Sequence, residues 1–226
     1  MSLEDWLEQT HTNPNLTRLS STEVDLGSRP AIHLPFLGSC PRSDIAFYLD
    51  LLEASSPCIL EEYRRARNQL RRHPGSRARG RGWNSLMLYK NNHRQDGTRL
   101  CPRTTAVLER LPLAGSLALA YFSVLEPDTV VKPHCGLTNV RVRVHLGLEV
   151  PAGCSMTVGR EKLGWQEGRC LWFDDGLLHW VENRGKAPRV VLLLDLWHPR
   201  LSQPERDHLD RLGRLLFEQR PRMKPD

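Results

Sequence analysis

Residues 140–149, VRVRVHLGLE, alternate without a break between apolar side chains and a second, mostly basic set. A helix would scatter that pattern around its axis, whereas a strand sends successive side chains to opposite faces. Val140, Val142, Val144, Leu146 and Leu148 then share one face, and Arg141, Arg143, His145, Gly147 and Glu149 share the other. If the apolar face is outer packing, the basic face points into a barrel. Buried cations are costly without a partner, so an anion has to meet them there. That anion is either a protein carboxylate or a ligand.

The rest of the chain supports a β framework. Strands are predicted at 85–89, 117–124, 129–132, 140–149, 155–158, 169–173, 179–181 and 189–197, separated by turns rich in Gly, Pro and Asp. Many short strands with such turns suggest a sandwich or a jelly-roll barrel. Residues 43–55 are helical in pattern, and Ser56 with Pro57 predicts the start of a second helix. Ile59, Leu60, Tyr63, Ala66 and Leu70 form its apolar stripe, and HPG at 73–75 ends it. Ser202 and Glu205 make a capping box for a terminal helix. Residues 1–30 read as a polar lead-in with a short helix around 3–9, and 31–226 as a single domain. The expected fold is mainly β with flanking helices.

Composition narrows the function. A chain of 226 residues suits one large domain with a real core. No stretch approaches the roughly 20 apolar residues of a membrane span, and residues 1–20 are too polar for a secretory signal. As written, the chain reads as soluble and cytoplasmic; the catalytic part of a longer membrane-anchored or endoplasmic-reticulum protein would read the same way. None of the six cysteines forms a C-x-x-C pair, so they read as free thiols rather than as a zinc ribbon or redox motif. Eight arginines lie between Arg64 and Arg81. They form either an anion-binding patch or a solvated helix end running into a loop. Without aromatic interleaving or a nucleic-acid motif the second reading is favoured, and nucleic acid is not an expected partner.

His134 stands just before the alternating strand, His179 follows in FDDGLLHWVEN, and Arg189 opens the apolar stretch RVVLLLDLW. Two histidines at strand edges with an arginine one strand on match a metal site beside a carboxylate clamp. Non-haem iron oxygenases bind their metal through histidines and, commonly, a carboxylate, leaving positions open. An arginine binds a carboxylate through two parallel bonds. Asp174 and Asp175 either orient a metal-bound water or make a turn, since Asp-Asp-Gly is good turn chemistry.

KPHCGLTNVRVRVHLGL, WQEGRCLWFDDGLLHWVEN and DLWHP resemble the aspartyl/asparaginyl β-hydroxylase family of iron- and 2-oxoglutarate-dependent dioxygenases. Weaker matches run through CPRTTAVLERLP, FSVLEPDTVVKPH and ERDHL, so the resemblance covers roughly residues 31–212. It implies a double-stranded β-helix barrel of the jelly-roll or cupin type, with Fe(II) held by His134 and His179. It implies 2-oxoglutarate as cosubstrate, surrounded by Ser123, Arg143, His145 and Arg189, with Arg189 clamping the distal carboxylate. It also implies hydroxylation of the β-carbon of Asp or Asn in a protein or peptide, EGF-like domains among the candidates, with O2 consumed and succinate and CO2 released. Most of the wider superfamily carries a carboxylate two residues after the first histidine, and Gly136 stands there instead, as is usual in this family. Leu137 and Gly176 depart from the proline and serine common in members. The competing reading is a catalytically weak barrel that senses a ligand or binds protein; a zinc hydrolase lacks a third ligand and a general base.

Overall fold

The computed structural model describes Ile32, Leu34 and residues 37–218 apart from residue 76; the helix expected around 3–9 lies outside the described residues. Two antiparallel sheets face each other. The first runs β1 (Arg71–Arg72), β3 (Trp83–Lys90), β5 (Leu119–Leu125), β12 (Arg189–Trp197), β7 (Arg141–Glu149) and β10 (Cys170–Asp174), with β4 (His93–Arg94) hairpinned onto β3. The second runs β2 (Ala78–Arg79), β6 (Thr129–His134), β11 (His179–Asn183), β8 (Cys154–Val158) and β9 (Glu161–Leu163). Strand neighbours far apart in sequence, such as β5 beside β12, close the two sheets into a double-stranded β-helix.

All eight strands expected from alternation are present, with ends shifted by one or two residues. The short strands β1, β2, β4 and β9 were not legible, because two or three residues carry no period. Asn91 and Asn92 both take positive φ, 52° and 65°. That is the twist a two-residue hairpin turn requires between β3 and β4.

The alternation in β7 is what divides core from site. Val142, Val144, Leu146 and Leu148 point outward, beside Val190, Leu192, Leu194 and Leu196 of β12 and Ala120, Phe122 and Val124 of β5. This apolar face is covered by α1 (Arg42–Ala66) through Ile45, Leu49, Leu52, Ile59 and Tyr63. The two helices expected on either side of Ser56 are therefore one. Pro57 removes a single amide from the ladder, a local cost. The buried stripe nevertheless runs on from Leu52 to Ile59 on one face, and the sheet holds both halves in line. The helix also ends earlier than HPG, at Ala66, passing through one 3-10 turn at Arg67–Gln69.

Two short helices follow β4: α2 (Gly97–Leu100) and α3 (Pro102–Leu108). Buried Glu62 of α1 serves the N-terminus of α3, accepting from Arg103 N at 2.9 Å, Thr104 N at 2.7 Å and Thr104 Oγ1 at 2.8 Å. The terminal helix α4 (Gln203–Glu218) begins as its capping box predicts, with Ser202 N donating to Glu205 Oε2 at 2.7 Å. Trp197 and Leu209 share a separate apolar cluster with Leu117 and Val140.

Candidate active site

Strict alternation would misplace His134. Val131 is buried between the sheets, so a regular strand would turn His134 to the outside. Three residue steps on β6, from Val131 to His134, instead oppose two on β11, from Val181 back to His179. This bulge falls at exposed Lys132 and Pro133 and re-aims His134 inward, a common use of the device beside functional sites. His134 then lies directly across from His179, with ring centroids 4.2 Å apart.

Both rings are fixed by their own strand ends. His134 Nδ1 lies 2.7 Å from the Lys132 carbonyl, and His179 Nδ1 lies 2.8 Å from that of Leu177. Carbonyls only accept, so each Nδ1 carries the proton and each Nε2 keeps its lone pair, the arrangement of a metal-ligating imidazole. Burial, and then the neighbouring His179, push the proton affinity of His134 down to about 4. Burial lowers that of His179 too, against the opposing charge of Asp175. Among the described residues no group of three or more His, Cys, Asp or Glu side chains is arranged to hold a metal ion.

The basic face of β7 is neutralised by two aspartates. Fully buried Asp175 accepts from Arg141 Nη2 at 2.8 Å and from Arg143 Nη1. Asp195, equally buried, lies opposite Arg143 on β12 and accepts from its Nε at 2.9 Å. Arg141 reaches Asp195 at 3.2 Å and also donates to the Leu117 carbonyl. Burial works against the charge on Asp175, but Arg143 and Arg141 outweigh it and hold the carboxyl well below the usual range. For Arg141 and Arg143, then, the waiting anions are protein carboxylates. The two readings of the Asp-Asp pair also separate. Asp174 accepts from Gly176 N at 2.7 Å and makes the turn, while Asp175 reaches toward the site, its Oδ1 3.7 Å from His179 Nε2.

Asp175 also accounts for Gly136. Gly136 N donates to the Asp175 carbonyl at 2.6 Å, and a Cβ at position 136 would fall inside the Asp175 carboxylate. The space a side chain there would fill already holds a carboxylate that arrives from another strand.

Arg189 is different. It is 2% exposed, its Nε has no hydrogen-bond partner, and it makes no ion pair among the described residues. Its guanidinium lies 4.9 Å over the ring of Trp165. Burial drags its proton affinity down to about 10. His145, also buried, accepts from Trp165 Nε1 at its own Nδ1 and leaves Nε2 without a partner. Its proton affinity falls well below the ordinary imidazole value, through burial and then the charges of Arg189 and Arg143. Ser123 faces the same interior from β5, opposite Val191, and accepts from Trp83 Nε1 at 2.9 Å. The interior thus brings together all of the expected residues, with Asp174 turned to local structure.

Asp195, Trp165 and Trp83 were missed. Asp195 had a readable signal, because it interrupts LLLDLW and shares the parity of Arg189, hence its face. The two tryptophans had none, since their contacts are long-range.

A family model described as Aspartyl/Asparaginyl beta-hydroxylase matches residues 53–199, a span that contains every one of these interior residues. Aspartate beta-hydroxylase domain-containing protein 1 of Homo sapiens is 38% identical over 192 residues, covering 78% of this chain and 48% of that protein. Aspartate beta-hydroxylase domain-containing protein 2 of Mus musculus is 48% identical over 118 residues, covering 50% of this chain and 34% of that protein. The Aspartyl/asparaginyl beta-hydroxylase of Homo sapiens is 34% identical over 131 residues, covering 56% of this chain and 17% of that protein. The chain spans about half the length, or less, of the curated relatives it matches.

Proposed function

Because the chain belongs to the aspartyl/asparaginyl β-hydroxylase family, we propose that it is an Fe(II)- and 2-oxoglutarate-dependent dioxygenase acting on Asp or Asn side chains of a protein or peptide. The observation that carries this reading is the division of the buried cations. Arg141 and Arg143 have their counter-charges, and among the described residues Arg189 has none. An arginine held in an apolar interior without an anion is costly unless a ligand supplies one.

The residues fit both groups the reading requires. His134 and His179 present two Nε2 lone pairs side by side and would hold iron, which, with bound 2-oxoglutarate and O2, supplies the oxidising chemistry. Arg189 would take the distal carboxylate of 2-oxoglutarate in its planar fork. His145 and Ser123 offer it the remaining polar contacts, and Trp165 covers the arginine and keeps water away. Arg143 holds Asp175 in place from the floor. Asp175 stays ionised beside His179 and would accept a hydrogen bond from a water on the metal.

Anaerobic titration of the protein with Fe(II) and 2-oxoglutarate tests the reading, followed by the weak visible charge-transfer band and, after oxygen is admitted, by 2-oxoglutarate decarboxylation. The band and turnover should both appear in the wild type and vanish in His134→Ala and His179→Ala. Normal consumption of 2-oxoglutarate by either variant would remove the ligand assignment. A folded wild type that gives neither signal would leave a ligand-binding barrel in place of an enzyme.

A further inference from the structure

Between α1 and β3 the chain crosses from one sheet to the other. β1 adds Arg71 and Arg72 to the edge of the first sheet, opposite Ser85 and Asn84. β2 adds Ala78 and Arg79 to the edge of the second, beside β6, and Lys132 N donates to the Arg77 carbonyl at 3.1 Å. The arginine run, readable in the sequence either as an anion-binding patch or as a solvated helix end and loop, is thus stitched at residues 77–79 along the strand that carries His134.

Facing separates Arg71 from Arg72 and Arg79, while Arg77 lies near enough for its charge to act on His134, His179 and His73. Ser123 lies opposite Val191 on one side and Ser85 on the other, and Ser85 lies opposite Arg71. Residues directly opposite in antiparallel pairs share a face, so these four form one row across the inner side of the sheet. Ser123 and Ser85 are 1% and 3% exposed, whereas Arg71 at the row's outer end is exposed. Two strand spacings put its backbone roughly 10 Å from that of Ser123. Arg64 pairs with Glu149, and Arg81 with Asp128, while Arg71 makes no ion pair among the described residues. Next along the chain, His73 stacks on Trp83 at 3.5 Å and 12°, and Trp83 donates to Ser123, so a flat aromatic shelf fills the row's inner half.

We propose that Arg71 is a specificity-determining residue for the peptide, taking an acidic side chain a few positions from the residue that enters the site. This rests on the hydroxylase reading and adds the class of peptide that reading leaves open. The exposed surface just before His179 favours a polypeptide over a nucleic acid. Leu177 and Leu178, in the turn before His179, are 49% and 37% exposed and offer aliphatic contact. Single-stranded nucleic acid binds through exposed aromatic platforms. The one large aromatic residue prominently exposed among the described residues is Phe47, on α1.

The test uses the whole chain and labelled peptides that differ only in one flanking residue, Glu, Gln or Lys. Peptide affinity is read by fluorescence anisotropy without iron, so it stands even if no 2-oxoglutarate turnover is found. Wild type should bind the Glu peptide about threefold to tenfold more tightly than the Gln peptide, the range of a solvent-exposed rim pair, with the difference shrinking at high salt. R71A should erase the difference, and R71E should reverse it in favour of Lys. In all three proteins the melting temperature should stay the same. Equal binding of Glu and Gln peptides by the wild type would overturn the proposal, as would an unchanged preference in R71E. An oligonucleotide of matched charge that binds more tightly, and in an Arg71-dependent way, would overturn the peptide assignment.

Discussion

Gly136→Ala should be among the most damaging single-methyl changes in this chain. The added Cβ falls on the Asp175 carboxylate and within 2.7 Å of the Asp175 carbonyl, so the aspartate has to leave. Leaving takes one anion from buried Arg141 and largely buried Arg143, whose other ion-pair partner among the described residues is Asp195. Breaking a buried ion pair by removing one partner costs about 3–5 kcal/mol, and forcing an extra methyl into a packed site costs about 1–3 kcal/mol. Even the lower end, about 3 kcal/mol, should lower the melting temperature by roughly 6–12 °C in a protein of this size. The assay is a double-mutant cycle in urea or thermal melts with Asp175→Ala. Once the carboxylate is gone, the same glycine substitution should cost at least about 2 kcal/mol less than it does in the wild type. A Gly136→Ala protein that melts within about 2 °C of wild type, or a cycle that is simply additive, would refute the steric account. The same geometry bears on Gly136→Asp, which cannot add a carboxylate ligand without first evicting Asp175.

Arg189→Ala should raise the 2-oxoglutarate requirement at least about 30-fold, since truncating one side of a buried charge pair typically costs about 2–5 kcal/mol; Arg189→Lys should recover only part, and unchanged affinity in the alanine variant would move the clamp to Arg141 or Arg143. Glu62→Ala should destabilise by about 1–3 kcal/mol in chemical melts, by stranding the Thr104 amide and hydroxyl at the start of α3, while leaving cosubstrate affinity alone. Burial, and then the charge of Arg143, push the proton affinity of His73 down to about 4, so between pH 6.5 and 4 the unfolded chain takes up a proton that the folded one refuses. Stability should therefore fall as pH drops through that window, and His73→Gln should show a shallower fall in melting temperature; an identical slope would mean that His73 is as accessible to protons folded as unfolded.

Much of this architecture was visible in alternation. As far as Gly147 the two faces of β7, with the inward histidine and arginines, follow from period two; a bulge then turns Glu149, expected inside, outward to Arg64. β12 is legible as an unbroken apolar run with its charged members on one parity. What stayed hidden depended on partners far away in sequence. Pro57 reads locally as a helix start, and only the continuous sheet surface beneath α1 makes it an interior residue. Gly136 left open whether the backbone or the metal needed it; the answer lies 39 residues on, at Asp175. His134 faces inward only because β6 carries an extra residue, and a bulge leaves no mark on hydrophobic periodicity.

Every residue of β12 is buried, yet its two faces answer to different demands. Val190, Leu192, Leu194 and Leu196 fill volume against the outer layer, whereas Asp195 carries a charge whose partners are fixed and Arg189 one that no described residue balances. Saturation mutagenesis of this strand should therefore show two kinds of tolerance in alternation, invisible to any measure of depth. Outward positions should accept exchanges among aliphatic residues, and losses there should be recoverable by compensating changes in Leu49 or Leu52. At Arg189 and Asp195 no aliphatic should be accepted and no second-site change in α1 should help. Among divergent relatives the same strand would drift at every other residue while standing still between.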